Sequence, residues 1–295
     1  MKKTADWTSH MEIKLMTTKD VRSDKRPTVL ITGGSKGIGF ELAKQFAMHG
    51  YNLVLTARSE TDLRQAAGQL ENEYGCGVTI CPFDLTADDS STELHRQVID
   101  EGIQVDVLVN NAGMGDVGPF AKSDLDRQLN MLRLNIVTLT SLTRLFLPAM
   151  IERGNGRVLN VASLAAYFAG GSNWASYVAS KHYALAFTRG MARELAGTGV
   201  RVTALCPGAT TTSFAGQAGA NNMAIYRWMP RLTPARVALA GYRATMTGRT
   251  TSVPGLLNKV FALLGELPPR SISQWVFEIL TRTPSATATE TRRVL

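Results

Sequence analysis

The chain has 295 residues, 44% of them hydrophobic and 19% charged, which suits one large α/β domain. Its cysteines, Cys76, Cys81 and Cys206, are odd in number and lack metal-ligand spacing, and its first residues lack the apolar core of a signal peptide, so a cytoplasmic protein with neither a disulfide framework nor a bound metal is expected. The net charge of +8 is confined to the ends, with 7 Lys/Arg against 4 Asp/Glu in residues 1–26, 15 against 17 in 27–226 and 10 against 3 in 227–295; with no nucleic-acid motif alongside, a nucleic-acid partner is not expected.

Residues 1–26 are polar and aperiodic and read as a loose extension, with Met11 and Met16 as alternative starts. Thr28-Val29-Leu30-Ile31 is a β-rich apolar run leading into Thr32-Gly33-Gly34-Ser35-Lys36-Gly37-Ile38-Gly39, after which Ile38, Leu42, Phe46 and Ala47 recur at helical spacing. Strand, glycine turn and helix together make a phosphate site: glycines let the backbone approach, and the helix start presents free N–H groups and a positive dipole end. A plain tight turn is the alternative. Asn52 to Thr56 reads as the second strand, and Ala57-Arg58 stands where an acid would take a ribose 2′-hydroxyl. Arg58 and Lys36 can both face a 2′-phosphate with no carboxylate to repel it, which selects NADP(H) over NAD(H); two merely solvated cations are the other reading.

A helix over Leu63–Tyr74 and a strand over Val78–Cys81 precede Asp84, which lies on the ligand-binding edge of such a sheet or caps the next helix. A helix over Ser91–Glu101 and a strand over Val105–Val109 lead to Asn110-Asn111-Ala112-Gly113, whose amides can fix backbone and cofactor while the small residues leave room for a flat ring. The helix from about Leu125 to Met150 carries Asn135 mid-span, where an inward amide needs a reason. The strand Arg157–Val161 delivers Ser163. Tyr177-Val178-Ala179-Ser180-Lys181 then sets a phenol and an ammonium four residues apart, on one helix face and adjacent turns. A tyrosine with a pKa of about 10 needs a shift of roughly three units, about 4 kcal/mol, to act as a base near neutrality, and a cation in a desolvated cleft can supply it. Alone, the spacing also fits a surface helix with a cation beside a ring. The strand Val200–Leu205 ends at Cys206-Pro207-Gly208, followed by Thr210, Thr211 and Thr212. The alternation from Thr28 to Leu205 predicts a doubly wound parallel sheet with helices on both faces, and no apolar run approaches the length of a membrane span.

Taken together and in this order, the Thr32–Gly39 turn, Asn110–Gly113, Asn135, Ser163 and Tyr177 with Lys181 resemble the short-chain dehydrogenase/reductase family over about residues 27–212. The resemblance implies a single Rossmann-type catalytic domain over 27–254 and a catalytic set of Asn135, Ser163, Tyr177 and Lys181. In that family Tyr177 would be the general acid/base, Lys181 would lower its pKa and hold the nicotinamide ribose, Ser163 would bond the substrate oxygen, and Asn135 would hold a water linking Lys181 to solvent. The same resemblance implies cofactor contacts at Gly33, Ser35, Lys36, Gly37, Ile38, Gly39, Arg58, Leu85, Asn111, Ala112, Gly113, Tyr177, Lys181, Pro207 and Gly208, with Asp84 at the adenine and Thr210 or Thr212 at the carboxamide. It further implies a homodimer or homotetramer that interconverts a ketone and a secondary alcohol with NADP(H). A 3-oxoacyl thioester reductase, a hydroxysteroid-type dehydrogenase and a non-catalytic NADP(H)-binding sensor or scaffold are the rivals.

The departure from the family is the tail. Members often end soon after a last strand, here Thr250–Val253, whereas this chain continues through a helical extension over 255–295, with apolar stretches around Val260–Leu264 and Ile272–Leu280 flanking Pro268-Pro269. Such a tail resembles the branch of general reductases. It can cover the core or a subunit interface, touch a membrane surface, or join the loop over 213–231 as a lid on a site for a bulky apolar carbonyl, the reading that Phe168, Trp174, Phe214, Met223, Tyr226, Trp228 and Met229 motivate.

Overall fold

The apolar runs form seven strands, β1 (Thr28–Thr32), β2 (Asn52–Ala57), β3 (Val78–Pro82), β4 (Val107–Asn110), β5 (Gly156–Val161), β6 (Val200–Leu205) and the two-residue β7 (Thr251–Ser252). In this computed structural model, which describes residues 26–220, 231–267 and 269–281, all pair in parallel in the order β3-β2-β1-β4-β5-β6-β7. The first three strands run outward from β1 in one direction, and β4 returns to its other side, with Val29 opposite both Leu53 and Val107. The connections therefore diverge beyond the carboxyl ends of β1 and β4, and a crevice opens there.

The helices are α1 (Gly37–Met48), α2 (Glu60–Tyr74), α3 (Ser90–Asp100), α4 (Leu125–Leu132), α5 (Leu139–Glu152), α6 (Ala175–Glu194), the single turn α7 (Phe214–Gln217), α8 (Pro234–Thr247), α9 (Leu256–Glu266) and α10 (Arg270–Thr281). Leu42 and Phe46 of α1, Leu63 and Leu70 of α2 and Val237 of α8 pack on one face of the sheet. Leu94 and Val98 of α3 and Leu142, Phe146 and Met150 of α5 pack on the other. Both faces are thus covered, which explains why the inner strands read as continuous apolar runs rather than alternating ones.

The long helix expected over Leu125–Met150 runs without a break over Leu125–Glu152, but its middle, Arg133–Thr138, is a π-helical turn that holds Asn135 and Thr138 buried. An added residue in one turn rotates the helix beyond it, so α4 and α5 present different faces to the protein, and such turns concentrate at functional sites. Although Arg127, Arg133 and Arg144 interrupt its apolar residues, this joined helix is long and apolar enough by composition to cross a membrane. Its buried Leu142, Thr143, Phe146 and Met150 and its inward Asn135 pack one face of it into the body of this fold.

The tail forms two helices as expected, although α9 begins at Leu256 rather than near Val260. Both dock on the body: Arg189 of α6 pairs with Glu266 at 2.6 Å, and Ser172 donates its N–H and its hydroxyl to Glu278 Oε1 at 2.7 and 2.8 Å. The amino-terminal extension before Arg26 and Met223, Tyr226, Trp228 and Met229 of the 213–231 loop lie outside the described residues.

Candidate active site

The first end of the crevice is made of backbone. Helix α1 starts at Gly37 with Lys36 in the cap position, yet no side chain caps it and no acid sits in its first turn, so its leading N–H groups stay available to an anion. Behind the turn, Asn111 Nδ2 donates to Thr32 O at 2.8 Å and Gly33 O at 3.1 Å, while Thr32 Oγ1 accepts from the N–H of Asn111 and of Ala112 at 2.9 Å each. The Asn111 side chain, expected at the cofactor edge, thus holds the glycine turn onto the end of β4. A Cβ on Gly39 would stand 2.1 Å from Gly33 O and 2.4 Å from Asn111 Nδ2, so only glycine lets this junction close.

Arg58 is exposed at the end of β2. Lys36 reaches the same region, but its Nζ lies 2.7 Å from Asp62 Oδ2, so the expectation of two cations with no carboxylate nearby is corrected: one of them is already paired. The sequence held a signal for this acid, because Ser59 and Asp62 have the spacing of a helix-start box and Ser59 Oγ does accept from Asp62 N at 3.2 Å. Burial pushes the Asp84 carboxyl up, but hydrogen bonds from Thr86 N–H and Oγ1, at 3.0 and 2.7 Å, and the Arg58 charge together hold it below its ordinary value.

The second end holds the groups that the sequence marks as candidates for catalysis. The residues Ala175 to Glu194 form one helix, so Tyr177 and Lys181 do share a face, and both are buried at the cleft. Lys181 Nζ lies 5.9 Å from the Tyr177 ring centroid and donates to Val161 O at 3.0 Å. Burial lowers the Lys181 pKa to about 8, so the ammonium still keeps most of its charge at neutrality. The adjacent Cys206 adds no counter-charge, since burial pushes its thiol up to about 12. Ser163 caps the short 3-10 turn Leu164–Tyr167, where its Oγ accepts from Ala165 N at 3.1 Å and its own proton is left for the cleft.

Asn135 stands behind this pair. Its Oδ1 accepts from Met114 N at 2.9 Å, and its Nδ2 donates to Met114 O at 2.9 Å and to Ser180 Oγ at 3.0 Å. The Asn135 side chain is thus a clamp between the segment after β4 and α6, with one Oδ1 lone pair left over. A Cβ on Gly113 would lie 3.2 Å from Asn135 Oδ1 and 3.3 Å from Lys181 Nζ, so these two groups border the same small space. Ser180, inside the Tyr-to-Lys segment, had no signal of its own beyond lying in the motif.

Beyond Tyr177 the wall becomes aromatic. Its ring centroid is 5.0 Å from that of Trp174 and 5.7 Å from that of Phe214, and Phe168 is 5.4 Å from Phe277 of α10. Phe277 and Thr281 line the same cleft as Tyr177, which places the tail in the site. Periodicity marked α10 as apolar but gave no sign of which surface it meets. The cleft, of about 550 Å³, gathers the catalytic and cofactor-binding residues named from the sequence except Gly39 and Asn135, which support it from behind, while Met223, Tyr226, Trp228 and Met229 lie outside the described residues.

Comparison with known proteins agrees with this geometry. The short chain dehydrogenase family profile matches residues 27–222. The ketoacyl reductase HetN of Nostoc sp. is 33% identical over 254 residues, covering 84% of this chain and 87% of that protein. A very-long-chain 3-oxoacyl-CoA reductase of Anas platyrhynchos is 32% identical over 182 residues, 60% of this chain and 58% of that one. Among solved structures, a short-chain dehydrogenase from Sphingobium yanoikuyae in complex with NADPH superposes with a TM-score of 0.73 at 28% identity, over 90% of this chain and 99% of that one. The bulky-bulky ketone specific alcohol dehydrogenase of Comamonas testosteroni gives 0.69 at 25% identity, over 83% and 96%. With its seven-stranded parallel sheet, glycine turn and buried Tyr177–Lys181 pair, the chain belongs to the short-chain dehydrogenase family of oxidoreductases.

Proposed function

We propose that this protein is an NADP(H)-dependent reductase that converts a ketone bearing a bulky apolar group into the secondary alcohol. The observation that carries the reading is the position of α10: Phe277 is buried beside Phe168 and joins Trp174, Phe214 and Tyr177 around one cleft. A concave wall of rings with few polar groups suits an apolar ligand. At the other end, the uncapped start of α1 and the cations Arg58 and Lys36 suit a pyrophosphate and a 2′-phosphate.

When bound, the reduced nicotinamide supplies the hydride. Ser163 and Tyr177 supply donors already directed at the carbonyl oxygen as negative charge grows there, and Tyr177 passes its phenolic proton to that oxygen. The Lys181 charge favours the phenolate left behind, and burial of both groups keeps water from screening it. Asn135 keeps α6 in register with the Met114 backbone.

A 3-oxoacyl thioester is the second reading, favoured by the names of the two reductases above. The test follows NADPH absorbance with purified protein against apolar ketones, 3-oxoacyl thioesters, steroids and dicarbonyls. Highest kcat/KM on ketones with two large substituents is expected. Preference for the thioesters transfers the assignment to them, and NADPH binding with no turnover across the panel favours a sensor.

A further inference from the structure

Lys36 and Arg58 are offered by the sequence as two cations for one phosphate, but the structure gives Lys36 a carboxylate of its own. Lys36 Nζ stands 2.7 Å from Asp62 Oδ2, with the two side chains 67% and 29% exposed, so the pair lies at the rim of the cleft and not beneath it. The backbone of Asp62 is tied to the cap of α2, where its N–H donates to Ser59 Oγ at 3.2 Å. Lys36, Arg58, Ser59 and Asp62 all line the same end of the cleft. The Arg58 side chain, in contrast, has no hydrogen bond or ion pair among the described residues, although its charge acts on the more distant Asp84 carboxyl.

We propose that Asp62 is a specificity-determining residue that works against the 2′-phosphate: it competes with that phosphate for Lys36. The proposal rests on the NADP(H) reading above. A dianionic phosphate approaching the Lys36 ammonium meets a carboxylate already bonded to it, and the two anions must share it or one must withdraw. Arg58 can receive the phosphate at once, whereas Lys36 joins only after leaving Asp62. NADH carries a hydroxyl at this position and leaves the pair undisturbed. Asp62 therefore narrows the gap between the two cofactors that Arg58 widens. An exposed ion pair changes an equilibrium by no more than about fivefold, which sets the scale of the effect.

The test is calorimetric titration of the full-length protein with NADPH, NADH and adenosine 2′,5′-bisphosphate, which needs no turnover. Asp62→Asn should tighten NADPH and the bisphosphate by about three- to fivefold and change NADH by less than about twofold. That gain should shrink when Lys36→Met is added. Equal or weaker NADPH binding by Asp62→Asn overturns the proposal and makes Asp62 a residue that positions Lys36 for the phosphate. Because Asp62 also lies in the first turn of α2, circular dichroism should confirm folding, and Asp62→Ser repeats the measurement should the asparagine variant not fold. Wild-type protein that binds NADH as tightly as NADPH counts against the NADP(H) reading, while a selective NADPH gain in Asp62→Asn would still uphold the role of Asp62.

Discussion

At the cofactor end of the cleft the main chain that faces a pyrophosphate comes from one short run, residues 33 to 38, steadied from behind by four hydrogen bonds between Thr32, Gly33, Asn111 and Ala112. At the other end the wall is assembled from Phe168 and Trp174 of one link, Phe214 of α7 and Phe277 of α10, three stretches that meet only in the folded chain. The first end presents main-chain N–H groups, whose positions a glycine turn fixes almost alone. The second presents ring faces, whose positions depend on how α7 and α10 pack. The difference teaches that the pyrophosphate turn is local while the aromatic wall is tertiary, with Tyr177 and Lys181 between them.

The largest expected effect breaks the junction and leaves both ends intact. Tyr177→Phe removes one hydroxyl, keeps the ring contacts with Trp174 and Phe214, and should lower kcat about 10³-fold, the size of a lost general acid. NADPH affinity, set at the other end, should stay within about threefold by calorimetry. Near-normal turnover in this variant would remove Tyr177 from the chemistry.

Lys181 sharpens the same contrast because the site holds it at the expense of stability. Its folded pKa of about 8 lies below the ordinary lysine value of 10.5, so between these values the unfolded chain binds the extra proton. Stability from this group is therefore lowest below pH 8 and recovers as pH rises toward 10.5. The burden near pH 7 is about 3 kcal/mol, net of the hydrogen bond to Val161 O. Lys181→Met should consequently stabilise the cofactor-free protein in urea near pH 7, by a margin that shrinks at about pH 9.5, while turnover is lost. An equal loss of stability at both values would mean that the ammonium is not held against its hydration.

The legibility of the sequence divides along the same line. The strands β1 to β6, the glycine turn and the Tyr177 helix are written in local patterns, since a buried parallel strand is a continuous apolar run and a phosphate turn needs its glycines at fixed spacing. Ser163, Tyr177 and Lys181, the side chains proposed as catalytic, line one cleft with the turns just past β1, β4 and β5 because the sheet edge collects the residues there. Three things were not legible. The Lys36–Asp62 pair joins two helix starts that the chain separates by β2, and only the strand pairing brings them together. The clamp of Asn135 depends on a π turn for which no residue pattern was apparent. The tail showed its apolar period but not its address, because a period of 3.6 says which face is buried and nothing of the surface that buries it.

The remaining tests act on that address. A Cβ on Gly171 would lie 2.2 Å from Phe277 Cδ1, so α10 is seated tightly against the 168–174 segment. Phe277→Ala should lower kcat/KM for ketones with two large substituents by about 10- to 30-fold, the scale set by removing apolar surface from a pocket, and leave a small ketone within about twofold. A parallel fall on both substrates would make α10 a structural cover and not part of the substrate wall. Glu278→Gln probes the same seat from its polar side, where one carboxylate oxygen receives both donors of Ser172. The amide still offers an oxygen to accept them, but it lacks the charge that shortens such bonds, so α10 should loosen without leaving. The expected result is a rise in KM for bulky ketones of about threefold with kcat unchanged, since at a partly exposed site the charge adds well under the strength of the hydrogen bonds themselves. An unchanged KM here, alongside a large Phe277→Ala effect, would show that ring packing alone seats the helix.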